Sequence, residues 1–194
     1  MSETRKFYSA GEWTSGSGEA FASINPANGN EVAMIGGASA ADVDNAVKGA
    51  QLAFNNPDWR DLKPHLRARF LYRIGELIDA DADKLSHIQM TDNGKTISEC
   101  RQMIAGAANC FRYYSGVCET LEGLVTPARG DYMSMAVSEP IGIVGLITPW
   151  NSPALLEANK LAPALAAGNC VILKPSEVTP LIALEYARIG EEAG

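Results

Sequence analysis

Apolar positions recur at helical spacing through most of the first 120 residues. Ser39 with Asp42 three residues on forms the start signal of a first helix, which carries Val43, Ala46, Val47, Ala50 and Phe54 on one side. Pro64, tolerated in a first turn, opens a second helix that puts Leu66, Phe70, Ile74, Leu77 and Ile78 on one face, with Arg67, Arg69 and Arg73 as its solvated side. A third helix over 83–91 stops at Asn93-Gly94, and a fourth runs from a Thr96 cap through Cys100, Ile104, Ala107 and Phe111. The aromatic group Phe111, Tyr113 and Tyr114 falls at helical spacing and reads as core packing. Ahead of these helices, 7–35 reads as short strands and turns punctuated by Asn25-Pro26 and Asn28-Gly29, a leading segment rather than a domain.

After Gly123 the period changes. Met133, Met135 and Val137 alternate with Ser134, Ala136 and Ser138 behind an Arg129-Gly130-Asp131 turn, which predicts a hairpin arm. The run IGIVGLIT over 141–148 is almost wholly apolar, as expected of a strand buried on both faces of a parallel sheet. A helical stretch over 154–167 closes at Gly168-Asn169 and is followed by a second apolar run, CVILK, giving a strand, helix, strand unit of about 30 residues. A last helix over 180–193 completes an α/β pattern.

Composition narrows the function classes. Hydrophobic residues at 46% and charged residues at 20% fit a folded globular chain, and 194 residues suffice for one domain. A formal charge of −7 argues against nucleic acid, where affinity comes from Lys and Arg neutralising phosphates. No apolar run approaches the roughly 20 residues that span a bilayer, and the first residues lack a basic segment leading into an apolar one, so a cytoplasmic protein is expected. Cys100, Cys110, Cys118 and Cys170 show no C-x-x-C pairing and no neighbouring His, so they read as structural thiols and no metal site is expected. His65 and His87 sit in amphipathic helices and are assigned no role.

Ligands of open α/β sheets bind outside the carboxyl ends of the parallel strands. The first such end gives Thr148-Pro149-Trp150-Asn151-Ser152-Pro153, a turn bracketed by prolines, and the second gives Lys174-Pro175-Ser176-Glu177, a cation, a hydroxyl and a carboxylate together. Neither is a G-x-G-x-x-G fingerprint, because Gly142 and Gly145 lie inside the strand. On the residues alone, each turn serves equally as a structural corner or as a ligand site.

The stretches GLITPWNSP and KLAPALAAGNCVILKPSEVTP resemble the paired cofactor-binding signature of the aldehyde dehydrogenase superfamily, at the family's separation within one βαβ unit. The resemblance extends through NPANGNEVA, the DWR segment, the RARFLYRIGELI helix and the DYMSMAVSEPIGIV arm, and so covers essentially the whole chain. It implies a Rossmann-like nucleotide-binding domain formed by 1–120 and 140–194, with 121–139 projecting as an oligomerisation arm. It implies that Asn151 donates its side-chain amide to the oxyanion formed when a thiolate attacks an aldehyde, besides any capping of the helix after it. It further implies that Trp150 and the backbone of Ile147, Thr148 and Pro149 line the cofactor and active-site cleft. Lys174 and Glu177 would bind the ribose hydroxyls of NAD, and Ser176 would meet a hydroxyl or the 2′-phosphate of NADP. Ser152 stands where many relatives carry an aromatic residue, so substrate size is not set by that position.

The same resemblance places the nucleophilic Cys, the Glu base and the pyrophosphate turn beyond Gly194, which makes the expected chain a truncated part of a homodimeric or homotetrameric enzyme. The complete enzyme would oxidise an aldehyde to a carboxylic acid through a cysteine thioester. Two other readings remain open at this level. One is a non-catalytic remnant that binds nucleotide or pairs with a full-length subunit, and the other is a phosphorylating or acylating reductase on the same fold.

Overall fold

The computed structural model describes residues 4–128 and 130–194. The leading segment folds as two hairpins, β1 (Phe7–Ser9) with β2 (Glu12–Thr14) and β3 (Phe21–Ile24) with β4 (Glu31–Ile35). Helices α1 (Ala40–Asn55), α2 (Pro57–Arg60), α3 (Pro64–Ala80), α4 (Ala82–Asn93) and α5 (Ile97–Cys118) follow. Then come the hairpin β5 (Leu124–Thr126) with β6 (Ser134–Ala136), the unit β7 (Ile143–Ile147), α6 (Pro153–Ala166), β8 (Cys170–Lys174), and α7 (Leu181–Ala193). Strands β7 and β8 are parallel, with Ile143 opposite Cys170 and Ile147 opposite Lys174, so the α/β class and the crossover hold. Among the described residues no helix is long and apolar enough to cross a membrane.

The helix starts follow from capping chemistry. Ser39 with Asp42 and Thr96 with Glu99 form reciprocal capping boxes at α1 and α5, and α4 ends at Gly94 in the left-handed region, φ 80°. The short helix α2, unmarked by apolar periodicity, opens on Pro57 behind an Asn56 cap. Its Trp59 indole donates to the Gly168 carbonyl at 3.1 Å.

The core lies between α3, α5, α6 and α7. Leu71, Ile78, Ile104, Phe111, Ala158, Ile182 and Ile189 are buried in one cluster, and Leu146 of β7 joins them. Helices α3 and α5 approach closely at Gly75, where a Cβ would come within 3.0 Å of the Ala108 carbonyl. Three side chains depart from the pattern read in sequence. Arg67 is buried, not solvated: it donates to the carbonyls of Ala166 at 3.1 Å and Leu62 at 3.0 Å and stacks over Trp59, placing a cation at the carboxyl end of α6. Tyr113 is exposed, edge-on to Tyr114, because a 22-residue helix buries one stripe and Phe111 occupies it. The strand over 141–148 is not covered on both faces. Leu146 and Thr148 face the core, whereas Ile141 and Ile147 are 90% and 72% exposed, since α1 covers the opposite face incompletely and itself buries no residue. The arm strands β5 and β6 pair antiparallel with every residue exposed, and Arg129 of their turn lies outside the described residues.

One buried group opposes the fold at neutral pH. Glu157 of α6 is fully buried and neither carboxyl oxygen has a hydrogen-bond partner among the described residues. Burial, with the neighbouring Asp92 charge second, pushes its carboxyl well above the ordinary carboxylate range. Asp92 is pushed up as well, by burial first, although hydrogen bonds from Ser23 and the Leu181 N–H act against that shift. In the folded state these groups hold protons that the unfolded chain has already lost. Their contribution to stability is therefore complete in acid and is lost as pH rises through the folded values. As pH rises from the ordinary carboxylate range through these raised values the thermal midpoint should fall. Glu157→Gln should flatten that fall and raise the midpoint at the alkaline end, and an equal slope in both proteins would remove Glu157 as its source.

Candidate functional site

The carboxyl ends of β7 and β8 lie side by side, and the Thr148 N–H donates to the Lys174 carbonyl at 3.2 Å, carrying the ladder one step past β7. The turns that follow, 149–152 and 175–180, are thereby brought together at one rim of the sheet. This is the location at which parallel α/β sheets present ligand-binding groups.

The first turn has few donors of its own, because Pro149 and Pro153 lack N–H groups. Trp150 is 61% exposed and Asn151 is exposed. Among the described residues the Asn151 side-chain amide has no hydrogen-bond partner; only its backbone carbonyl is engaged, by the Ser152 hydroxyl at 2.7 Å. Ser152 is the N-cap of α6 yet makes no side-chain cap. The acceptor comes instead from another helix: Gln89 of α4 receives the Ala154 N–H at 3.0 Å. Thr148 is buried and its hydroxyl has no partner among the described residues, while Ile147 and Gly145 face the open side of the sheet, where a Cβ at Gly145 would meet nothing within 4 Å.

At the second turn the Lys174 ammonium and the Glu177 carboxylate pair at 3.1 Å, both largely exposed. A hydrogen bond from its own backbone N–H, followed by Lys174, holds the Glu177 carboxyl below the usual range, so it carries its charge at neutral pH. Ser176 is buried and its hydroxyl oxygen accepts the Val178 N–H at 3.4 Å, which shapes the turn and leaves Lys174 and Glu177 as the charged side chains that reach solvent. Helix α7 begins behind Pro180 without a side-chain cap from its own N-cap residue. Asp92 of α4 supplies the acceptor, taking the Leu181 N–H at 3.0 Å and the Ser23 hydroxyl of β3 as well.

Sequence reasoning singled out both turns but missed the residues that hold them. Asn93, read there only as part of a stop signal, donates its side-chain amide to the Trp150 carbonyl at 2.5 Å. Gln89, Asp92 and Asn93 all belong to the last turn of α4, and Gln89 and Asp92 are buried. A signal for them existed: with Leu85 they continue the core-facing stripe of α4, where apolar side chains are the rule. Burial pushes the thiols of Cys100, Cys110, Cys118 and Cys170 up, the opposite of what activates a nucleophile. His65 and His87 are exposed on α3 and α4, away from both turns, and among the described residues no three His, Cys, Asp or Glu side chains gather as metal ligands.

Comparison with known proteins bears on this geometry. Residues 13–194 match the profile of the aldehyde dehydrogenase family. A betaine aldehyde dehydrogenase of Bacillus subtilis is 38% identical, covering all of this chain and 40% of the relative. Human retinal dehydrogenase 2 is also 38% identical, over 97% of this chain and 37% of the relative. A Bacillus cereus aldehyde dehydrogenase solved as an NAD+ complex superposes with a TM-score of 0.96 at 34% identity, over 99% of this chain and 40% of that one. The chain thus spans 37–40% of the length of these relatives. A match over nearly every residue, in sequence and in fold, shows that the chain belongs to the aldehyde dehydrogenase family.

Proposed function

We propose that this chain supplies the cofactor-facing wall and the oxyanion donor of an enzyme that oxidises an aldehyde to a carboxylic acid with NAD. The observation that carries the proposal is the pairing of the two strand ends. Thr148 bonded to Lys174 brings to one rim the turn of the exposed Asn151, whose side-chain amide has no partner among the described residues, and the turn of the exposed, charged Lys174–Glu177 pair. The residues suit a dinucleotide: a carboxylate to accept from ribose hydroxyls, a cation beside it, and an open apolar strand face at Gly145 and Ile147 with room for a flat group. Lys174 and Glu177 would hold the adenosine ribose, with Trp150 and the backbone of Ile147, Thr148 and Pro149 lining the cleft and Ser176 fixing the turn. When bound, the cofactor supplies the hydride acceptor.

Asn151 acts on the substrate oxygen. When a thiolate adds to the aldehyde carbon, the carbonyl π bond becomes a lone pair on oxygen, and the Asn151 N–H donates to that developing charge. An amide suits this role because it is uncharged and keeps its donor at every working pH. The thiolate and the base that frees the acid from its thioester are supplied from the portion of the enzyme outside these 194 residues. The exposed apolar side chains of the arm over 121–139, Leu124, Val125, Tyr132, Met133, Met135 and Val137, support a homodimer or homotetramer joined there. A cytoplasmic location fits the acidic composition.

In the complete enzyme, Asn151→Ala should lower kcat by about 10²–10³ while leaving NAD affinity nearly unchanged. Steady-state turnover alongside a cofactor titration reads both quantities, and unchanged turnover with hydride transfer rate-limiting would take Asn151 out of the mechanism.

The charged Glu177 accepts from a ribose 2′-OH and repels a 2′-phosphate, so NAD should be preferred with some tolerance of NADP. Glu177→Gln removes that repulsion and frees Lys174 from its partner. The ratio of kcat/KM for NADP to that for NAD should rise roughly two- to fivefold, the scale of an exposed charge interaction. A wild-type enzyme with the better kcat/KM for NADP contradicts this weighting.

A further inference from the structure

We propose that Asn93 is a positioning residue for the oxyanion donor: its side-chain amide holds the Trp150–Asn151 peptide plane in the orientation from which Asn151 acts. This rests on the role proposed above for Asn151.

Residues 149–152 form a solvent-facing turn whose two flanking prolines donate nothing, and the Trp150 ring is mostly exposed. Among the described residues, the bond from Asn93 Nδ2 to the Trp150 carbonyl at 2.5 Å is the one hydrogen bond that ties this turn to an element other than the helix it opens. The Trp150–Asn151 bond is trans, so the Trp150 oxygen, the Asn151 N–H and the Asn151 Cα lie in one plane. Fixing the direction of that oxygen therefore fixes the base from which the Asn151 side chain springs.

Asn93 is itself held on both sides. Asp92 before it is pinned by the Ser23 hydroxyl and the Leu181 N–H. Gly94 after it takes the left-handed conformation, φ 80°, and donates to the Met90 carbonyl at 2.9 Å, with a Pro26 ring atom 2.6 Å from where a Cβ would stand. A short amide on an immobile backbone gives a stiff strut between α4 and the turn. Because an oxyanion donor acts only when it already points at the developing charge, a small tilt of this plane costs rate.

The test is a double-mutant cycle in the complete enzyme, with kcat expressed per titratable active site so that loss of folded protein does not enter. Asn93→Asp has the same shape but faces the Trp150 carbonyl with an acceptor, and Asn93→Ala removes the strut while keeping the Gly94 stop. Each should lower kcat about tenfold, the scale of one lost hydrogen bond, with the NAD dissociation constant unchanged. In an Asn151→Ala background the same changes should alter kcat by less than about twofold, because the group they position is gone. If Asn151→Ala alone leaves kcat intact, the oxyanion role fails and this inference with it. If Asn151→Ala is slow but the Asn93 variants are full-rate, or multiply its loss in full, the oxyanion role stands and the positioning role is overturned. Loss of titratable sites with kcat per site unchanged makes Asn93 a stability residue only, and overturns it too.

Discussion

The structure turns on a requirement of helix beginnings: the first N–H groups of a helix have no partner inside it and must find an acceptor elsewhere when water is excluded. Helices α6 and α7 both start at a βα corner, one after Ser152-Pro153 and the other after Pro180, and neither is capped by its own N-cap side chain. Both acceptors come from one turn of α4. Gln89 takes the first free N–H of α6, and Asp92 takes that of α7. The two corners that carry the ligand-facing groups are thus held by a third element, and their relative placement is fixed by the pitch of a single helix.

Packing elsewhere serves the same arrangement. The carboxyl end of α6 is answered by the buried Arg67 guanidinium, which bonds the Ala166 carbonyl and lies over Trp59. At the other end of α6, the Tyr186 hydroxyl donates to the Ala154 carbonyl at 2.6 Å. The crossover helix is therefore gripped by charge or hydrogen bonds at both ends and by apolar contact along its length. Across the surface of α4 and α7, Arg188 pairs with Asp81, Glu185 and Glu192, and Lys84 bridges to Glu185 at 2.7 Å. Partly exposed pairs of this kind add little individually, but together they keep α7 seated on the helix that caps it.

Much of this was legible in the sequence because it is governed by local rules. Capping boxes at Ser39 and Thr96, the Asn93-Gly94 stop and the two apolar runs around a helix placed the main elements, and the strand-end rule put Asn151, Lys174 and Glu177 at one rim. What escaped was set by partners far away in the chain. Arg67 looked like one of three solvated cations, since nothing near it in sequence reveals that the end of α6 stands over it. Ile147 looked like core because an apolar run records what a strand can bury and not whether this chain covers it. Gln89 and Asp92 stood as polar residues where the helical stripe calls for apolar ones, an anomaly that composition and motif alone leave unexplained.

The bonds made by that last turn of α4 span 57, 65, 69 and 89 residues. Closing such long loops comes late in folding, because chain entropy is surrendered before the contact rewards it. The helices can form as they leave the ribosome, yet the α7 corner of the rim gains its hold on α4 only when residue 181 arrives and gives Asp92 its second partner. The ligand-facing corner is thus completed only with the start of α7. A nascent chain caught before that point holds Asp92 by the Ser23 hydroxyl alone, on a helix face that α7 has not yet covered, the form that a chaperone would have to shelter.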